Sequence, residues 1–101
     1  MKNCLLLGRK VTVLATLKEQ IERKDINLTF GTSLEEVENA FKKNQFEVVI
    51  MGAGLELVDR LEIINYIFTT SKSTTVHMKD WDSGPGGMIP FVNGILNGLT
   101  D

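Results

Sequence analysis

Two short apolar runs in this chain are continuous rather than alternating: Cys4-Leu5-Leu6-Leu7 and Val48-Val49-Ile50-Met51. Each is too short for a helix and each is followed by glycine, which fits strands buried on both faces. Two other runs, Ile26-Asn27-Leu28-Thr29-Phe30 and Thr75-Val76-His77-Met78-Lys79, alternate apolar with polar. Alternation fits strands with one wetter face, as at the two edges of a sheet.

Helical periodicity fills the gaps between strands. Before the second strand, Leu14, Leu17 and Ile21 share a face and Lys18, Glu19, Glu22 and Arg23 suit solvent. The stretch that opens this segment, Lys10-Val11-Thr12-Val13, is β-branched and also fits a returning hairpin strand after Gly8-Arg9; the helix is preferred because Leu17 to Lys24 suits a strand poorly. Ser33-Leu34-Glu35-Glu36 has the pattern of a capping box, with Ser33 and Glu36 satisfying each other's backbone N–H groups. Leu34, Val37 and Phe41 then form one face, and Lys42 and Lys43 stand at the negative helix end. Leu57, Leu61, Ile64 and Phe68 recur at i, i+4, i+7 and i+11 and predict the buried face of a third helix. Met88, Phe91, Val92, Ile95, Leu96 and Leu99 predict the buried face of a fourth, with Pro90 tolerated in its first turn.

Strand and helix alternate four times, which predicts a parallel sheet with right-handed crossovers. The continuous runs belong at the centre and the alternating runs at the edges. The expected fold is a three-layer α/β/α domain over residues 1–101, its four-stranded parallel sheet in the order 2-1-3-4. The second and third helices are expected on one face of the sheet and the first and fourth on the other. No linker, internal repeat or low-complexity tract interrupts it.

Composition narrows the function classes. The chain has 101 residues, 43% hydrophobic and 24% charged, with a net charge of −2. A nucleic-acid binder usually carries a basic excess, so no nucleic-acid partner is expected. No apolar run approaches the roughly 20 residues that span a bilayer, and the seven residues before Gly8 are too few for a secretion signal. With one cysteine there is no internal disulfide. These features predict a soluble cytoplasmic protein with no membrane partner.

The 2-1-3-4 layout, switching direction between the first and third strands, is similar to the receiver domain of response regulators, a flavodoxin-like fold, here lacking strand five. The resemblance covers most of the chain and implies layout alone, because the receiver's chemical residues are replaced. Leu7-Gly8-Arg9 stands where a receiver has its acidic pair. Met51-Gly52-Ala53 stands where it has the phosphorylated aspartate. The fourth strand runs into Lys79-Asp80, where a receiver ends in Ser or Thr. Transfer of a phosphoryl group needs a carboxylate nucleophile and acidic groups to hold Mg²⁺, so a non-phosphorylated version is expected. The chain also looks like small bacterial proteins in which glycines follow the third strand (here Gly52-Ala53-Gly54) and a glycine-rich loop (here Gly84-Pro85-Gly86-Gly87) precedes the last helix; that likeness adds no activity.

Three candidate sites follow. Gly8, Arg9, Lys10, Gly52, Gly54, Gly86 and Gly87 collect at the carboxyl edge of the sheet, where open α/β sheets bind ligands. Glycine backbone, a helix N-terminus and two cations suit a phosphate, a nucleotide or a carboxylate, and tight βα turns explain the same glycines without a ligand. Neither a dinucleotide fingerprint nor a P-loop is present. The second candidate is the last helix, where Asn93, Gly94, Asn97 and Gly98 lie off the apolar stripe with no charge. That face suits either a homodimer contact or close packing on the first helix. The third is the fourth-strand edge, where His77 and Trp81 suit a protein contact; Trp81 equally suits a lid over the core. Cys4 reads as a core residue, and a metal site at His77, Asp80 and Asp82 is disfavoured because a strand puts residues 77 and 80 on opposite faces. The expected function is a non-catalytic, self-associating interaction module, homodimeric or bound to another protein, with no cofactor or metal. The alternative is a small anion- or nucleotide-binding domain, enzymatic or not.

Overall fold

A computed structural model describes residues 2–10, 16–80, 82 and 84–99. The sheet has four strands: β1 (Lys2–Leu7), β2 (Ile26–Gly31), β3 (Val48–Met51) and β4 (Thr75–Met78). All pairings are parallel and the order is β2-β1-β3-β4, as the hydrophobic pattern predicts. Helix α1 is described over residues 16–18; the alternatives for its start fall on residues 11–15, outside the described residues. Helices α2 (Leu34–Lys43), α3 (Leu57–Thr70) and α4 (Met88–Asn97) complete the set, and a short 3₁₀ turn, Pro85–Gly87, leads into α4.

The strand pleat divides the core in two. Cys4, Leu6, Val48 and Ile50 face Leu17, Ile21, Met88, Val92 and Leu96, so α1 and α4 cover one face. Leu5, Leu7, Val49 and Met51 face Val37, Ile63 and Ile67, so α2 and α3 cover the other. The result is a three-layer α/β/α fold, with α1, α2 and α3 on the faces that right-handed crossovers require and α4, which follows the last strand, beside α1.

Two local expectations are corrected. Ser33 does cap α2, its hydroxyl accepting from the Glu36 N–H at 3.3 Å. The Glu36 carboxylate, however, accepts from the N–H and hydroxyl of Thr32, at 2.6 and 2.8 Å, rather than from Ser33. The box thus reaches one residue further back, because Thr32 offers two donors to one carboxylate oxygen.

The second correction concerns α3. Its buried side chains are Ile63 and Ile67, both 0% exposed. The expected buried stripe faces outward instead: Leu57, Leu61 and Phe68 are 61, 57 and 59% exposed, and Ile64 is half-buried. The helix is apolar around most of its circumference, so more than one stripe satisfies the 3.6-residue period. Contacts with α2 decide which face goes in. Tyr66 stands edge-on to Phe41, with ring centroids 6.0 Å apart, and Phe41 in turn packs on Phe46 at 5.2 Å. With Tyr66 turned toward α2, Ile63 and Ile67 fall on the sheet.

Candidate functional site

The carboxyl edge brings several of the expected residues together. Gly8 is buried at the end of β1, and its N–H donates to the Gly31 carbonyl at 3.2 Å. Gly52 is buried at the end of β3, its N–H donating to the Leu7 carbonyl at 2.7 Å. A methyl group added to Gly52 would meet that carbonyl oxygen at 3.4 Å and the Met88 methyl at 3.7 Å. The start of α4 therefore lies over Gly52. Across the switch point, Arg9 approaches Gly54 closely enough that a methyl added there would sit 3.3 Å from the Arg9 Cβ. Gly8, Arg9, Gly52 and Gly54 thus form one cluster.

Two backbone donors in that cluster are committed. The N–H groups of Gly8 and Gly52 are used between strands, and that of Gly87 donates to the Gly84 carbonyl at 3.1 Å. Gly84 has φ +67°, which a side chain would strain; it shapes the turn before α4. Arg9, Lys10 and Gly86 are exposed. A methyl at Gly52 would make only ordinary van der Waals contacts, so packing alone does not require glycine there.

Lys79 was not among the expected site residues. It is 5% exposed, and its ammonium donates to the Asp80 carbonyl at 3.1 Å. The alternation of β4 gives no signal of this, since it puts Lys79 on the face of the exposed Thr75. A shallow pocket of about 220 Å³ at the opposite, amino edge was also not foreseen; Phe41, Phe46, Ser71 and Lys72 help to line it.

On the last helix, the asparagines are engaged inside the chain. Asn93 accepts from the Glu22 N–H at 2.9 Å and donates to the Gln20 carbonyl at 3.3 Å. Asn97 donates to the Glu22 carboxylate at 2.6 Å. Gly94 and Gly98 are exposed, and a methyl at Gly94 would meet nothing within 4 Å.

At the remaining edge, β4 pairs with β3 alone among the described residues. His77 is half-buried, its Nε2 3.2 Å from the Thr75 hydroxyl. Trp81 lies outside the described residues. Beside this edge stands the exposed side of α3. A helix turns about 100° per residue, so Leu57, Leu61, Ile64 and Phe68 lie on the flank away from Tyr66 and α2. That flank is the β4 side, because α3 connects β3 to β4. Met78 adds to it: paired with Met51, it points to the α3 face and is 47% exposed. Val58 extends the patch at 61% exposed.

Among the described residues no group of three or more His, Cys, Asp or Glu side chains is placed to hold a metal ion, and no helix is long and apolar enough to cross a membrane. Gly52 stands at the end of β3, where phosphoryl transfer to a receiver would need a carboxylate. Incubation with acetyl phosphate and Mg²⁺ is therefore expected to leave the protein's mass unchanged; a stoichiometric mass gain of one phosphoryl group would overturn this. Comparisons with protein-family models, curated proteins and solved structures found no match.

Proposed function

We propose that this chain is a non-catalytic interaction module that works by associating with itself. The observation that carries the reading is the apolar side of α3. Leu57, Val58, Leu61 and Phe68 are all more than half exposed, on a helix whose other side is seated on the sheet. Exposed leucine is ordinary when single, whereas a contiguous apolar patch on a small domain marks a contact surface. The N–H donors committed at the carboxyl edge, and the asparagines committed on α4, leave those two surfaces with less support.

Analytical ultracentrifugation tests the proposal. A dimer is expected at tens of micromolar protein. Leu61→Glu and Phe68→Lys are expected to give monomers that remain folded, since both side chains are exposed. Gly94→Glu and Gly98→Lys are expected to stay dimeric. A wild-type monomer at several hundred micromolar would defeat self-association, and a dimer lost only in the glycine variants would move the contact to α4.

A further inference from the structure

The self-association proposed above can be given a specific geometry, and this inference rests on it. We infer that the partner is a second copy whose β4 lies antiparallel to β4 across a twofold axis at His77, giving a continuous eight-stranded sheet with the two α3 stripes packed together on one face.

Backbone polarity supplies the first argument. The Thr75 N–H donates to the Glu47 carbonyl at 3.1 Å and the Lys79 N–H to the Met51 carbonyl at 2.9 Å. In a parallel ladder, residues that turn their N–H and C=O groups to one neighbour alternate with residues that turn them away. Val76 and Met78 therefore present their N–H and C=O groups to the open edge. From Thr75 to Met78 the strand has neither a Lys nor a Pro, the residues that commonly protect an edge.

Pleating fixes where the axis can lie. Opposed residues in an antiparallel pair point to the same face, so a twofold axis falls on a residue and not between two. Centred on His77, Val76 of each copy stands opposite Met78 of the other. All the outward N–H and C=O groups of both strands are then paired within β4. Centred on Val76, Met78 would instead need Thr74, which precedes the strand and whose hydroxyl is tied to the Phe46 carbonyl at 2.6 Å. Centred on Met78, Val76 would need Asp80, beyond the strand end.

The helices satisfy the same symmetry. A twofold axis normal to the sheet keeps both α3 helices on one face and sets them antiparallel, with the flank carrying Leu57, Leu61, Ile64 and Phe68 facing its copy. The exposed apolar side chains, with Val58 and Met78, offer on the order of 500 Å² per protomer, against roughly 800 Å² per partner in a standard interface. The strand edge and the polar rim make up the difference. The apolar stripe itself is uncharged, and Arg60, partly buried beside Leu57 and Ile64, borders it.

Disulfide trapping tests the register. At a non-hydrogen-bonded antiparallel pair the Cα atoms are about 4.5 Å apart, within reach of a disulfide. His77→Cys is expected to give a covalent dimer on mild oxidation. Val76→Cys alone is not, because its copy lies diagonally, beyond the roughly 7 Å limit. The double variant Val76→Cys/Met78→Cys is expected to cross-link, which keeps the test sound if replacing His77 disturbs the strand. Cys4 is buried and does not compete. A wild-type dimer in which neither His77→Cys nor the double variant cross-links would overturn this geometry while leaving self-association standing. Cross-linking through Val76→Cys alone would also overturn it. A wild-type monomer would overturn both.

Discussion

Ile63→Ala is expected to cost about 3 kcal/mol, and Leu61→Ala, two residues away, less than about 0.5 kcal/mol. Ile63 is fully enclosed between α3 and the sheet, in the cluster that contains Val49, Met51 and Ile67. Removing it takes away three carbons' worth of burial and leaves a void that a parallel sheet cannot collapse to fill. Leu61 is 57% exposed, and its replacement exchanges one water-facing side chain for another. Urea unfolding at low micromolar protein, where a dimer contributes little, measures both. If the stripe read from the sequence were the buried one, the order would reverse. This single comparison therefore determines which side of α3 is seated on the sheet.

Arg23→Ala is expected to lose about 2 kcal/mol and to loosen the end of α4 in particular. That helix has no basic residue in its last turn. Arg23 supplies the charge from the segment after α1: one guanidinium nitrogen donates to the Leu96 carbonyl at 2.8 Å and the Leu99 carbonyl at 3.0 Å. Both carbonyls lie at a helix end, where partners are scarce and a cation is favoured. Asp25 holds the guanidinium in place, with contacts of 3.0 and 2.6 Å. Arg23→Lys should recover only part of the loss, because an ammonium lacks the planar fork. Amide exchange should accelerate first at residues 95–99. Exchange that rises evenly across the molecule would argue against a local anchor.

The pH dependence follows from the same contact. The Arg23 hydrogen bond holds the Asp25 carboxyl below its ordinary value. A depressed folded-state pKa means that the stabilising contribution is complete above the unfolded-state pKa. It is lost as the pH falls through the folded value. Arg23→Ala should therefore lose less stability on acidification than the wild type does.

The sheet was legible because its two central strands carry no polar residue from Cys4 to Leu7 or from Val48 to Met51, a pattern that only burial on both faces rewards. The crossover rule then assigned the three connecting helices to faces. What could not be read was rotation about a helix axis. Leu57, Leu61, Ile64 and Phe68 make a longer series than Ile63 and Ile67, yet it is the shorter one that packs. The deciding contact, Tyr66 on Phe41, joins residues 25 apart and leaves no trace in local periodicity. The uncharged side of α4 was ambiguous for a related reason. Asn93 and Asn97 find their partners at Gln20 and Glu22, more than 70 positions away. At the carboxyl edge the glycines were visible, but the commitment of their N–H groups to neighbouring strands became apparent only with the register.

Cys4 has a kinetic consequence. Its side chain is fully buried at the middle of the sheet, in a strand hydrogen-bonded on both sides, and burial pushes its thiol up to about 12. A thiol reagent needs both access and the thiolate, and the folded protein grants neither. Fraying at β4 does not expose it, because β1 must part from β2 or β3 or lose the helices above it. The rate at which this sulfur reacts therefore times the opening of the central sheet or of the helix layer that covers it, and does so with no label introduced.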